Sequence, residues 1–401
     1  MSKFHLPAKS DRQSIPRTVW VLGFVSLLMD ISSEMIHALL PLFMATTLGA
    51  SAVWIGFTEG MGEAAALISK VFSGAIADRF GKKKWLVFTG YALGVISKPF
   101  FALAGSMPVV FGARFFDRIG KGIRGAPRDA IIAEITPENI RGAAYGLRQS
   151  LDAAGAFIGP ALAALLLFFF SEDFRTIFWF ALIPGTVCLL LIILGVENVD
   201  SNENTQRKNY QFKEFFRLMT PAFKWLLAIG VLFSLARFSN AFIILKAADS
   251  GVPTTLIPFV LVGVNLVFSA VSFPFGKLAD HLNPYKLLAL GLCFLIASDI
   301  AFALWSTPWA VALAVALFGL HLGATQGVFS FTVAQHAHER YLATAFGVFN
   351  LLSGLSSLTA GLIAGFVWEY LGADYTFMTG AAFALCCLLV LSLVSLRLTM
   401  R

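Results

Sequence analysis

Ionisable side chains recur in stretches of this chain that are otherwise apolar enough to lie in lipid. Asp30 and Glu34 stand one helical turn apart in the run 18–46, with His37 on the same face. Glu59, Glu63 and Lys70 share a face of the run 52–77, and Lys98 lies within 85–106. Arg114, Asp117, Arg118, Lys121, Arg124 and Arg128 follow one another along 108–133. Arg148 and Asp152 are a turn apart in 143–170, on a face with Gly155 and Gly159. The second half offers Arg237, Asp299 and His321, with Asn240, Gln326 and Asn350 as further polar groups on a more apolar wall. Each ionised group costs about 2.5–3.5 kcal/mol at the centre of a membrane helix, so so many of them point to a function.

The chemistry these types suit is ion and proton handling. A carboxylate beside cations, in a cavity alternately wet and closed, can hold its proton in one state and lose it in the other. Asp30, Glu34 and Glu63 lead as proton-coupling candidates, followed by Glu59 and Asp152. Cations outnumber their acidic neighbours, which points to an anion as balancing partner: Lys70, Lys98, Arg114, Arg118, Lys121, Arg148 and Arg237 are substrate-binding candidates, with Asn350. The competing account is that these groups neutralise one another as fixed pairs; a static buried pair is often no better than apolar packing, so that account is hard to extend to all of them.

Other chemistries find little. The cluster His336-Ala-His338-Glu339 lacks the H-E-x-x-H spacing, and Cys188, Cys293, Cys386 and Cys387 lie in apolar runs without metal spacing. No phosphate-binding glycine loop is present, so the proton gradient, rather than ATP or a bound cofactor, is the expected energy source. No nucleophile–base or metal constellation lies at membrane depth, so the chain does not read as an enzyme.

The elements that must position these groups are long apolar helices. The chain is 58% hydrophobic and 13% charged, against roughly 25% charged in a soluble domain. Twelve runs are each long enough to cross a hydrocarbon core: the five named above, then 175–196, 222–247, 254–279, 286–306, 308–335, 342–368 and 376–398. They are too long for barrel strands, so their backbone groups pair internally as helices. The first run reads as a signal-anchor helix. The net charge of +7 comes from a distribution: about two-thirds of the 30 Lys and Arg fall in the tails and alternate loops. That bias places both termini in the cytoplasm and the chain in the inner membrane as a multi-pass protein. It accounts for the basic balance without nucleic acid.

The chain also repeats itself. Gly74-Ala-Ile-Ala-Asp78-Arg-Phe-Gly81-Lys-Lys-Lys84 recurs about 200 residues on as Gly276-Lys-Leu-Ala-Asp280-His-Leu-Asn-Pro-Tyr-Lys286. Arg141-Gly-Ala-Ala-Tyr-Gly146 returns loosely as Arg340-Tyr-Leu-Ala-Thr-Ala-Phe-Gly347. The polar stretch 197–220 separates the sixth run from the seventh. The expected organisation is therefore a charge-rich six-helix half (1–196), a cytoplasmic linker (197–220) and a second six-helix half (221–401), with a pathway between the halves.

Taken together these residues resemble the major facilitator superfamily (MFS). Gly74, Ala77, Asp78, Arg79, Gly81, Lys82 and Lys83 match its loop pattern G-x-L-A-D-R-x-G-R-K, with Ile76 for Leu and Lys82 for Arg. Gly146, Gly155 and Gly159-Pro160 match its antiporter motif G-x8-G-x3-G-P-x2-G-G, with Ala163 and Ala164 in place of the last two glycines. Arg114 stands where the family has a buried Arg in R-x-x-x-G-x-G, with Arg118 for the first Gly and Gly120 for the second. The resemblance implies an all-α integral membrane protein of twelve transmembrane helices in two pseudo-symmetric six-helix bundles. It implies a gating role for Asp78 and Arg79 as a latch, and for Gly155, Gly159 and Pro160 in a bending helix.

The combined expectation is a secondary active transporter that moves a small organic solute, anionic or amphipathic, by alternating access with proton antiport and efflux. The alternative is proton-linked uptake of an anionic or iron-chelating, siderophore-like nutrient. Its partners would be the solute, protons and membrane lipids, and it would work as a monomer. A ligand-binding sensor without flux and a lipid flippase are further readings that the residues leave open.

Overall fold

The computed structural model describes residues 15–80, 83–137, 140–170, 173–196, 217, 219–279, 283–336 and 342–399. Among them there is no strand. Twelve membrane-length helices follow in order: α1 (Arg17–Thr47), α2 (Ala52–Phe80), α3 (Lys83–Leu103), α4 (Met107–Ile135), α5 (Arg141–Phe169) and α6 (Phe174–Gly195). The second half repeats the series as α7 (Pro221–Asp249), α8 (Pro258–Ala279), α9 (Pro284–Leu304), α10 (Pro308–His336), α11 (Leu342–Leu371) and α12 (Ala373–Thr399). Ten contain a long apolar, nearly charge-free window among the described residues. The other two are α2 and α4, where charge interrupts the apolar run. The twelve expected runs thus appear as helices with ends displaced by a few residues.

Lipid explains the outer surface. Leu194 and Trp309 are 82% and 86% exposed, and many other large apolar side chains face outward with them. In water such a surface would be an aggregation hazard; around a bundle of twelve spans it is the face that meets hydrocarbon. The face directed inward carries the charge instead.

Neighbouring helices approach closely where glycine removes a Cβ. A Cβ on Gly155 would lie 2.5 Å from Leu27 O and 2.9 Å from Asp30 Cβ, and one on Gly159 would lie 2.8 Å from Ile31 O and 2.9 Å from Glu34 Cβ. The α5 glycines expected to matter for gating therefore seat α1 directly beneath its two acids, and Pro160 lies within the same helix. Gly122 of α4 lies equally close to α2, with a built Cβ at 2.5 Å from Ala66 O.

The two halves meet through α2 with α11, α5 with α8, and the far end of α1 with that of α7. A Cβ on Gly60 would stand 2.9 Å from Leu358 Cα, and one on Gly365 would stand 2.7 Å from Ala52 O, so α2 and α11 touch backbone to backbone. Glu369 of α11 adds a cap across the boundary, its Oε2 accepting from Ala52 N at 2.8 Å. A carboxylate there answers an orphan amide and the positive end of α2. This contact lies on the distal face, opposite the one that carries the termini.

Both α1 and α7 are interrupted at matching places. The first stretch of α1 ends at His37 and continues through Leu40–Leu42 and a π-helical turn at Phe43–Thr47. The first stretch of α7 ends at Ala236 and a second begins at Asn240.

Candidate functional site

A cavity of about 260 Å3 lies between the halves. The first half contributes Glu34 and His37 from α1, Glu59, Gly60 and Glu63 from α2, and Arg114, Arg118 and Lys121 from α4. The second contributes the α7 break from Arg237 to Ala241, Leu261 from α8, Phe318, Leu322 and Gln326 from α10, and Ser357 from α11. One wall is ionic. The other is more apolar, with Arg237, Ser239, Asn240, Gln326 and Ser357 as its polar points.

The ionic wall is an ordered network. Arg114 Nη2 donates to Glu59 Oε2 at 2.5 Å, joining α4 to α2. Gly62, whose Cβ would meet Arg118 Cγ at 3.2 Å and Arg114 Cγ at 3.4 Å, makes room for both arginines. His37 lies between two carboxylates, with Glu34 Oε1 at 3.4 Å from Nδ1 and Asp117 Oδ2 at 3.4 Å from Nε2. Arg118 Nη2 stands 3.1 Å from Nδ1 and 3.3 Å from Nε2 of the same ring. A nitrogen that accepts from Arg118 carries no proton, whereas one that donates to a carboxylate must carry one. The ring can therefore be held in distinct protonation patterns by the same neighbours.

Behind this wall Lys98 is fully buried, with its ammonium 3.2 Å from Asp117 Oδ1 and 3.0 Å from Ser33 Oγ. Asp117 thus joins α1, α3 and α4. It was not among the candidates drawn from the sequence; the signal was present in its place one residue before Arg118, on a helix already crowded with cations.

The remaining candidates are spread more widely. Glu63 and Lys121 reach the cavity as exposed side chains. Asp30 is half-buried against Gly155, one turn from Glu34, and outside the cavity lining. Arg148 and Asp152 pair at 3.3 Å and join Arg128, whose Nη1 also reaches Ser26 Oγ at 3.0 Å; this group lies towards the terminal face, away from the cavity. Lys70 is exposed and Asn350 half-buried, and neither lines the cavity. The backbone of α2 continues through Asp78 and Arg79, but their side chains lie outside the described residues, as do Gly81, Lys82, Asp280 and most of the stretch 197–220.

One further contact was not anticipated. Lys246, at the end of the run 222–247, is buried and reaches Asp374 Oδ1 at 2.6 Å and Ser306 Oγ at 3.1 Å, tying α7 to α12 on the distal face. In the second half Asp299 and His321 are buried, and Asp299 Oδ2 and His321 Nε2 have no hydrogen-bond partner. Among the described residues no group of His, Cys, Asp and Glu has the arrangement of a metal site.

The chain matches the family model described as Major Facilitator Superfamily over residues 22–361 and 226–399. It is 31% identical over 385 residues to an uncharacterized MFS-type transporter of Methanocaldococcus jannaschii, covering 94% of each chain. It is 31% identical over 160 residues to the multidrug resistance protein MdtH of Photorhabdus laumondii, covering 40% of this chain and 39% of that one. The crystal structure of the nucleoside transporter NupG superposes with a TM-score of 0.80 at 12% identity, covering 94% of this chain and 99% of that one. At that identity the likeness concerns the fold alone.

Proposed function

The chain belongs to the Major Facilitator Superfamily, and from that premise we propose that it carries a small organic solute, anionic or amphipathic, through the cavity between its halves by alternating access. It is a multi-pass membrane transporter rather than an enzyme, as its family and structural relatives are. The observation that carries the proposal is the cavity itself, walled by both halves and lined on one side by Glu34, Glu59 and Glu63 beside Arg114, Arg118 and Lys121. In this reading the half 1–196 holds the proton-handling groups, 221–401 supplies the facing wall, and 197–220 joins them on the cytoplasmic side of the inner membrane. The proton gradient supplies the energy. The carboxylates of the first half, Asp30 and Asp152 included, are the groups through which it acts, and the protein works as a monomer.

Export in exchange for protons is the favoured direction. It is supported by the close seating of α1 on Gly155 and Gly159 and by the partial similarity to MdtH. Proton-linked uptake of an anion is the second reading, favoured by the cationic surplus of the cavity. An anion that draws Arg114 away from Glu59 strengthens that carboxylate's hold on a proton, so anion and proton would load together.

The test is a thermal-stability screen of the purified protein against drug cations, organic anions and chelators, since a ligand of the folded state raises its stability. The stabilising compound is then followed in proteoliposomes under an imposed pH gradient. Export by exchange predicts accumulation on the acidic side; co-transport predicts accumulation on the alkaline side. Flux unchanged by the gradient, and by Glu34→Gln, Glu59→Gln and Glu63→Gln, sinks the coupling.

A further inference from the structure

The break in α7 differs from its counterpart in α1 in what it leaves unbonded. In α1 the turn closes on itself: Ala38 N donates to Glu34 O at 3.1 Å and Leu39 N to Ile36 O at 3.0 Å. In α7 the chain passes through an extended residue, Arg237 (φ −94°, ψ 94°), and restarts at Asn240. Ser239 caps the restart, its Oγ accepting from Ala241 N at 3.3 Å and its carbonyl from Phe242 N at 3.0 Å. The amide of Asn240, first in the new helix, is offered no such acceptor. It opens the ten-residue segment Asn240–Asp249 at the cavity rim, where the positive end of the helix dipole lies.

Arg237 shares that rim. Among the described residues its side chain makes no hydrogen bond or ion pair, and the charge that acts on it is Glu63 of the other half. A second observation points to a missing acceptor. Arg114 and Arg118 line the same cavity at 6% and 7% exposure, and Nε and Nη1 of Arg114 and Nε of Arg118 have no hydrogen-bond partner. Buried guanidinium donors left without acceptors are unfavourable, and an oxyanion supplies acceptors in the matching forked geometry. Beside them Phe238, Ile244, Leu261, Phe318 and Leu322 offer apolar surface for the rest of a molecule.

We infer that the α7 break is the anion pole of the cavity. Arg237 and the Asn240 amide hold the carboxylate or phosphonate head of an organic anion, Arg114 and Arg118 face it as donors, and Glu63 is the counter-charge that the head displaces. The inference rests on the cavity being the transport site and adds the substrate class and the residues that select it.

The test measures binding of benzoate to the purified full-length protein in detergent, with benzamide and benzyltrimethylammonium as neutral and cationic counterparts. Benzoate is expected to raise the melting temperature, and the other two to leave it unchanged. Arg237→Gln should weaken benzoate about 10-fold or more, the scale of one charged hydrogen bond. Asn240→Pro removes one amide N–H at a position where proline suits a helix start. It should weaken benzoate severalfold while the unliganded melting temperature stays put. Glu63→Gln should tighten binding. If Arg237→Gln fails to fold, Arg237→Lys and Asn240→Pro carry the test. An equal response to benzamide, or parental affinity in both Arg237→Lys and Asn240→Pro, overturns the inference. Loss of the benzoate response on adding phosphatidylglycerol to the micelle reassigns the pole to a lipid headgroup and also overturns it. Flux of another solute without benzoate binding sinks this inference alone; benzoate binding without flux of any solute sinks the transport reading alone.

Discussion

Replacing Asp117 with Leu removes the partner of an ammonium that has nowhere else to go. Lys98 is 0% exposed, and its other hydrogen-bond partner is Ser33 Oγ at 3.0 Å. Breaking a buried pair by removing one member costs about 3–5 kcal/mol, because the surviving charge is left uncompensated. Lys98→Met alone is milder, since Asp117 keeps His37 at 3.4 Å and Arg118 at 3.9 Å; about 1–3 kcal/mol is expected, the scale of a charged hydrogen bond. The double variant replaces the pair with apolar groups, a change that is often neutral or stabilising. It also deprives His37 and Arg118 of their carboxylate, so a net cost of about 1–2 kcal/mol remains. The coupling energy of the cycle is therefore expected to be at least about 2–3 kcal/mol, well above the additivity error for independent sites. Denaturant titration of all four proteins in mixed micelles measures it. A near-silent Asp117→Leu, or a double variant whose cost equals the sum of the singles, would refute the reasoning that Asp117 compensates Lys98.

Three further outcomes are expected. Glu369→Ala removes the cap that α11 places on α2, worth about 1 kcal/mol, and should shift the population away from distal closure about fivefold; distances between spin labels on the distal ends of the two halves report it, and an unchanged distribution counts against the cap. Gly60→Val puts a side chain where Leu358 Cα and Ser357 O stand 2.9 and 3.0 Å from a Cβ, so the halves should fail to close at the distal face and transport should stop while each half stays folded; full transport in this variant would contradict the packing. Asp173 begins α6 by accepting from Thr176 Oγ1 at 2.6 Å and Arg175 N at 3.0 Å, and the Thr176 bond foremost, with the backbone amides, holds its carboxyl below the usual value. A depressed carboxyl stabilises the fold above the unfolded pKa of about 4 and loses that contribution as pH falls through the folded value. Asp173→Ala should thus cost about 1 kcal/mol at neutral pH and progressively less in acid; a cost independent of pH would assign it to something other than the ionised cap.

Much of the architecture could be read from the order of residues, because lipid imposes a simple rule on composition: a span must be long, apolar and helical. The charged residues were equally legible as exceptions to that rule. Their partners were not. Helical periodicity places Glu59 and Glu63 on one face of α2 but is silent on which helix faces them, so the bond from Arg114 to Glu59 and the meeting of Lys98 with Asp117 required the fold. Lys246 stands at the end of an apolar run, and only the fold shows that the chain buries it against Asp374, 128 residues away. The α7 break was hidden for a different reason. Neither proline nor glycine marks residues 236–240; the usable signal was Ser239-Asn240, N-cap chemistry in the middle of an apolar run. In α5 the opposite holds: the spacing of Gly155 and Gly159 anticipated a close contact, and the structure supplies its partner, the backbone of α1 beneath Asp30 and Glu34.

The most direct test of the account asks whether the cavity between the halves is reached from both sides of the membrane. Ser357 lines it, and Ser357→Cys, in a background where Cys188, Cys293, Cys386 and Cys387 are replaced, gives one thiol at that place. Labelling with a membrane-impermeant maleimide in right-side-out and inside-out vesicles is predicted to proceed from both faces, and, when Gly60→Val is added and the distal face can no longer close, to persist from the distal face and be lost from the face that carries the termini. Labelling from a single face, unaltered by that second substitution, would contradict alternating access through this cavity.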